Sequence, residues 1–340
     1  SVNAYSSLKQ KIFWWAVKVG KEYSKRFRSN QHVGLGLKIK LKLARALVFK
    51  KFVKMTGGEL LFFISGGASM PEELAKFYGA VGLMIIEGYG LTETSPVTNM
   101  NDPLNVTFGT VGPPIPGTEE KIAPDGEILV QGPQVFQGYL NKPDKTREVL
   151  EENGWFHTGD LGEFDEDGNL KIIGRKKEIF VLSTGKKVPP IMVEDLAAMV
   201  QFIQQLVLTG DGRKYVTALV TPNFSYLAEH VRREMPGIAS QMPEFEEADE
   251  SEIETFLYQP EIYQLFQDDI DTINSNVDPF AQVKKFEIIP HELSEETGDL
   301  TPSLKFKRRN IAEHYKDKIT RMYAIDTSVE LSDDGIQITD

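Results

Sequence analysis

Apolar positions in the first part of the chain recur at helical spacing. Within residues 8–28, Ile12, Trp15, Val19 and Tyr23 fall at i, i+3, i+7 and i+11, with Lys and Arg on the other faces, which predicts an amphipathic helix. Residues 37–54 alternate Lys and Arg with Leu, Val and Phe and predict a second. From residue 60 the pattern becomes one of short apolar runs. Leu60–Ile64 runs into Ser65-Gly66-Gly67 and predicts a buried strand and a tight turn. Ser69-Met70-Pro71-Glu72-Glu73 reads as a helix start, with Pro71 at its first position. Leu83–Glu87 predicts a second buried strand, so the segment is a βαβ unit with a parallel sheet.

Residues 103–139 are rich in Gly and Pro, and short strands such as Glu127–Val130 predict a small β-structure attached to that sheet. Pro143 opens a helix ending near Asn153-Gly154, and residues 161–173 form a hairpin turning at Asp167-Gly168. Past Gly174-Arg175 a new pattern begins. Strands at 179–182, 205–209, 215–221 and 283–289 and helices at 190–200, 223–234 and 306–317 predict a compact α+β domain. The boundary falls near 175, giving domains of 1–174 and 175–340. Residues 241–275 carry eleven acids and no Lys or Arg, and read as a solvated insertion with a helix from about Pro260.

Charge changes this picture at one end. The net charge is −12, yet residues 1–55 hold fourteen Lys and Arg against a single acid, Glu22. A basic segment with helical periodicity fits either an outward face or peripheral contact with an anionic membrane. The overall acidity argues against general nucleic-acid binding. With no Cys, disulfides and thiolate metal sites are excluded, which fits a reducing cytosol. His32, His157, His230, His291 and His314 show no metal-ligand spacing.

The segment Glu87-Gly88-Tyr89-Gly90-Leu91-Thr92-Glu93-Thr94 follows a buried strand, where ligand sites of α/β sheets collect. It offers an aromatic face at Tyr89, backbone made approachable by Gly88 and Gly90, a hydroxyl at Thr92 and a carboxylate at Glu93. That set suits a nucleotide, with Glu93 able to hold Mg²⁺ through oxygen. The bland alternatives are Tyr89 as core packing, Asp160 as a turn cap and Lys305 as a surface lysine.

Residues 59–94 resemble two linked signatures of the adenylate-forming superfamily, which includes acyl-CoA synthetases, luciferases and peptide-synthetase adenylation domains. The Gly66-Gly67-Ala68 turn resembles the strip lining adenine and the acyl carbonyl, and Tyr89–Thr94 the adenine-and-phosphate motif. Gly154–Gly162 resembles the segment whose Asp, here Asp160, takes the ribose hydroxyls. Arg175 stands where the family Arg also reaches the ribose, Lys177 where its hinge lies, and Ser183 and Gly185 in the loop that approaches the CoA side. Gly298–Arg309 resembles the last family motif, with Lys305 as the lysine used in adenylation. Its Leu-Thr-Pro-Ser-Leu-Lys wording is that of the long-chain fatty acyl branch. Lys307, Arg308 and Arg309 suit either CoA phosphates or a solvated helix start.

The resemblance therefore implies an α/β fold: part of a large AMP-binding domain, parallel sheet plus small β-structure, followed by a smaller mobile α+β cap. It implies ATP, Mg²⁺, CoA and a fatty acid as reaction components; the basic 1–55 segment and the absence of Cys add the expectation of a cytoplasmic enzyme with peripheral contact at the inner membrane face through residues 1–55. Delivery to a carrier protein, and a non-catalytic nucleotide-binding or membrane-docking module, stay open. The family's upstream phosphate loop ending in Pro-Lys-Gly has no counterpart here. The expectation is thus a C-terminal fragment with little ligase activity by itself.

Overall fold

The computed structural model describes residues 7–28 and 34–324. His32 and the parts of the basic segment at 1–6 and 29–33 lie outside the described residues. The chain divides into two compact units: residues to Val181 with Gly185–Gln201, and Leu182–Thr184 with Phe202 onward. The strands and short helix that follow Arg175 thus pack with the first unit.

In the first unit, α1 (Ser7–Arg28) precedes α2 (Leu35–Ala44), which continues through a π turn at Arg45–Phe49 into α3 (Lys50–Met55). The buried face of α1 carries Phe13, Ala16 and Val17, whereas Trp15 is 36% exposed. Of the expected stripe, Val19 is buried at 6% and Ile12 and Tyr23 pack against the same core, so Trp15 alone turns outward. A Cβ on Gly20 would lie 2.4 Å from the Ala80 carbonyl, so the Gly20 face is where a neighbouring helix comes closest.

That neighbour is α4 (Glu72–Val81), lying between β1 (Phe63–Ser65) and β2 (Ile85–Gly90). The two strands pair in parallel, Phe63 with Ile85 and Ser65 with Glu87, as the βαβ reading expects. Pro71 sits one residue earlier than expected, at the N-cap of α4, and Gly82 closes the helix in the left-handed region at φ 91°. The expectation of a buried first strand fails: Phe63 is 39% and Ile64 61% exposed. Among the described residues β1 has a hydrogen-bonded neighbour on one edge only.

β3 (Val97–Met100) pairs antiparallel with β2. Then β4 (Glu119–Ile122), β5 (Glu127–Gln131), β6 (Phe156–Phe164) and β7 (Leu170–Arg175) form a four-stranded antiparallel meander, with α5 (Pro143–Val149) between β5 and β6. Ile128, Val130 and Leu170 make its core, and Tyr89 packs against them. The α5 helix ends sooner than its expected stop near Asn153-Gly154. Two-residue strands β8 (Phe180–Val181) and β9 (Lys187–Val188) and α6 (Pro190–Glu194), which runs on as a 3₁₀ turn to Met199, complete the unit.

The second unit centres on β10 (Ile203–Thr209), β11 (Val216–Pro222) and β12, with β12 (Val283–Ile288) parallel to β11. Helices α7 (Phe224–Glu234), α8 (Pro236–Ala239), α9 (Glu250–Leu257) and α10 (Pro260–Asn274) join β11 to β12. A break at Tyr315 splits the expected last helix into α11 (Arg308–His314) and α12 (Lys316–Tyr323).

Residues 241–275 are not a solvated insertion. Ile262, Phe266, Ile270 and Ile273 of α10 are at most 1% exposed, as are few residues outside a core. Full burial contributes about 1.5–3 kcal/mol per large apolar side chain. Most acids of α9 and α10 lie on their outer faces, and their density hides the inner apolar stripe; Asp269 is the exception, buried and accepting the Phe202 amide at 2.7 Å.

Candidate active site

The first unit gathers most of the expected nucleotide residues near the end of β2, the middle of β6 and the end of β7. Tyr89 on β2 donates from its hydroxyl to Asp160 Oδ2 at 2.7 Å. Asp160 on β6 faces Arg175 across the β6–β7 ladder, and Arg175 Nε lies 3.3 Å from Asp160 Oδ1. The Asp160 side chain is 9% exposed and that of Arg175 55%. Burial first, then the neighbouring Asp160 charge, pushes the Tyr89 phenol up, so it stays a proton donor. Thr158 Oγ1 donates to the Ile128 carbonyl at 2.8 Å and accepts from the Asp160 amide at 3.1 Å, fixing the turn that presents Asp160.

The residues after Tyr89 are set by close packing. A Cβ on Gly90 would lie 1.7 Å from the Pro96 carbonyl oxygen, so only Gly fits where the chain doubles back. Thr92 to Thr94 then form one 3₁₀ turn, ended by Ser95 at φ 56°. Thr92 is exposed. The Glu93 carboxylate accepts the Tyr139 hydroxyl at 2.8 Å, and its carbonyl accepts the Phe136 amide at 2.8 Å. Burial and that bond push the Tyr139 phenol up to about 12.

Gly66, Gly67 and Ala68 form an exposed turn after β1, with Gly67 at φ 84°. Gly66 comes within 3.5 Å, measured from an added Cβ, of the Gly88 carbonyl, so this turn borders the β2 end. Glu87 points into the protein. Burial, together with the repulsion of Glu72 and Asp195, raises its carboxyl to about 7, despite a bond from the Met70 amide.

Three further side chains of this region carry no reading from sequence. Glu120 on β4 accepts from Asn99 Nδ2 at 3.0 Å, and burial raises it to about 7. Its other oxygen is buried with no hydrogen-bond partner among the described residues. Glu119-Glu120-Lys121 looks like a solvent edge, so nothing in the sequence marks Glu120 as inward. Tyr139 and Thr158 are the other two, and only their nearness to Gly138 and Gly159 in sequence hints at turns.

His157 bridges two carboxylates, Glu127 from Nδ1 at 3.2 Å and Glu151 from Nε2 at 2.9 Å, which is a structural clamp. Lys177 is exposed in a single 3₁₀ turn, Lys176–Glu178, between β7 and β8. In the second unit Ser183 donates its amide to the Arg213 carbonyl at 2.9 Å. Gly185 takes φ 77°. Lys305 is exposed near the tip of a hairpin of the second unit.

Two family models match this sequence: AMP-binding enzyme over residues 25–140, and AMP-binding enzyme C-terminal domain over residues 177–327. The chain belongs to the AMP-binding enzyme family. Among curated relatives, it is 35% identical over 321 residues to long-chain-fatty-acid–CoA ligase FadD15 of Mycobacterium bovis, covering 94% of this chain and 51% of that protein. To long-chain-fatty-acid–CoA ligase 6 of Mus musculus it is 32% identical over 294 residues, covering 82% and 40%. The chain thus spans about half the length of the curated relatives it matches. Among solved structures, the adenylation domain of a carboxylate reductase from Mycobacterium chelonae superposes with TM-score 0.63 at 19% identity. That match covers 91% of this chain and 45% of the other, and shows the AMP-binding fold.

Proposed function

We propose that this AMP-binding family chain supplies the adenylate-gripping side of a long-chain fatty acid–CoA ligase. The observation that carries the reading is the convergence of Tyr89, Asp160 and Arg175, backed by relatives of that name at 32–35% identity. In the first step a fatty carboxylate oxygen attacks the α-phosphorus of ATP, forming the acyl-adenylate and expelling pyrophosphate. In the second the CoA thiol attacks the acyl carbon, giving the thioester and releasing AMP.

The chain's residues position these reactants and meet their charge. The Tyr89 ring offers a stacking face to adenine, and the Gly66-Gly67-Ala68 turn lines the same end of the sheet. Asp160 accepts hydrogen bonds from ribose hydroxyls in this reading, since the two oxygens of a carboxylate can take several donors at once. Arg175, the exposed partner of that carboxylate, has room to turn toward the same sugar. Thr92 faces solvent beside the phosphate path, and Lys305 brings a cation to the α-phosphate.

Among the described residues no cluster of three His, Cys, Asp or Glu forms a protein-only metal cage. Magnesium usually takes one or two carboxylates and completes its shell with phosphate oxygens, and Glu93 beside Thr92 fits that donor set. Mg²⁺ held there would neutralise phosphate charge.

In this reading residues 1–174 belong to the large domain and 175–340 to a cap that turns about Lys177. Turning withdraws Lys305 and brings Ser183 and Gly185 to the thiol side, and a hinge of a few residues suffices for this. Lys305→Ala in the full-length gene product should abolish ATP–pyrophosphate exchange while sparing thioester formation from preformed acyl-adenylate. Equal loss in both half-reactions would overturn the assignment.

We also infer a cytoplasmic protein whose basic 1–55 segment touches the anionic inner face of the membrane. No described helix is long and apolar enough to cross a membrane. Failure of phosphatidylserine vesicles to retain the protein at low salt would dismiss this contact.

A further inference from the structure

Asp299 is the most deeply buried acid of the second unit, at 0% exposure, and it lies six residues before Lys305 in sequence. Its carboxylate collects three donors. Thr297 Oγ1 approaches Oδ2 at 2.7 Å, the Tyr315 hydroxyl approaches the same oxygen at 3.3 Å, and His314 Nδ1 approaches Oδ1 at 2.8 Å. A carboxylate only accepts, so His314 carries its proton on Nδ1 and Tyr315 donates. His291 Nε2, 2.9 Å from the Tyr315 oxygen, then donates in turn. The acid therefore joins the residues before the Lys305 hairpin to the C-terminal end of α11.

The hairpin itself is short and closed. The Thr301 amide bonds the Lys305 carbonyl at 2.9 Å, and the Lys307 amide bonds the Asp299 carbonyl at 2.7 Å. Leu300 pairs with Phe306, and both pack into the core with Leu293 and Ile311. Leu304 takes φ 60°, unusual for a residue with a branched side chain, and the Lys305 amide is held by Thr301 Oγ1 at 3.0 Å. A left-handed Leu persists only where its surroundings over-determine it. The apolar pair fixes the hairpin stem on one side, and the Asp299 carboxylate fixes it on the other.

We propose that Asp299 is the positioning residue for Lys305, holding the stem of its hairpin through Thr297, His314 and Tyr315. This rests on the assignment of Lys305 to the adenylation step. Asp299 never meets a reactant; it sets where the Lys305 ammonium stands.

The test uses the full-length gene product and separates the two half-reactions. Asp299→Asn should lower ATP–pyrophosphate exchange by about 100-fold, the loss typical of a misplaced group, with thioester formation from preformed acyl-adenylate unchanged. A buried substitution can unfold the unit, so His314 provides a second arm. His314→Leu removes one donor and should lower exchange, whereas His314→Gln, whose amide still donates to Asp299, should restore it. Hydrogen exchange should show lost protection at amides 301–307 in Asp299→Asn and His314→Leu, with β11 unaffected. If Lys305→Ala leaves exchange intact, the function assignment fails. If Lys305→Ala abolishes exchange but His314→Leu matches wild type in exchange and in protection of 301–307, the positioning role fails and the assignment stands.

Discussion

Tyr89→Phe isolates one bond at the centre of the candidate site. The substitution deletes the hydroxyl that donates to Asp160 at 2.7 Å and keeps the ring that packs on Ile128, Val130 and Leu170. Hydrogen bonds to a charged partner contribute about 1.5–3 kcal/mol to stability. The Arg175 contact offsets little of the loss, because an ion pair with a half-exposed side chain is worth roughly 0–1 kcal/mol. The first unit should therefore lose about 1.5–3 kcal/mol, a fall in melting temperature of roughly 3–12 °C for a unit of this size. Trp14, Trp15 and Trp155 are the only tryptophans and all lie in the first unit, so their fluorescence during urea unfolding reads that unit alone. A double-mutant cycle with Asp160→Ala should give a coupling of at least about 1 kcal/mol. Additivity within about 0.3–0.5 kcal/mol would refute the bond's importance. Adenylate affinity should survive Tyr89→Phe and fall in Tyr89→Ala, since the ring and not the hydroxyl is the stacking face.

Two further expectations concern the same unit. The folded state raises Glu87 from the ordinary 4.5 to about 7 and Asp195 from 3.8 to about 6, so it binds more protons than the unfolded chain across that range. The first unit should lose stability as pH rises from about 4.5 to 7, and Glu87→Gln should flatten that slope and stabilise the unit above pH 7, as read by urea midpoints. An unchanged slope would count against it. Gly90→Ala forces a Cβ onto the Pro96 carbonyl and should cost about 1–3 kcal/mol, whereas Gly66→Ala meets only ordinary contact and should be silent. Equal urea midpoints for the two variants would contradict the packing argument.

Legibility from sequence followed local pattern. The βαβ unit, the 161–173 hairpin and the strands at 205–209 and 215–221 were readable, because turn residues and apolar runs are local signals. Tyr89 and Asp160 stand 71 residues apart, and periodicity could not join them; the ordered motifs did, through family resemblance. Three features stayed hidden. Trp15 lies on the expected apolar stripe yet is 36% exposed, because the core side of α1 is centred on Phe13, Ala16 and Val17 and reaches Val19 at its edge. Eleven acids masked the α9 and α10 stripes, since charge density on one face does not reveal what the other face buries. Asp299 was marked only as part of the Gly298–Arg309 motif, and its three donors include His314 and Tyr315, which follow from the end of α11.

The adenylate grip is tested most directly by calorimetric titration of the full-length gene product with a non-hydrolysable long-chain acyl-sulfamoyl adenosine. Tight binding to wild type that weakens about 10- to 100-fold in Asp160→Ala, the loss of one charge-assisted bond or two, is the predicted result. Undiminished affinity in both Asp160→Ala and Arg175→Ala would contradict the site.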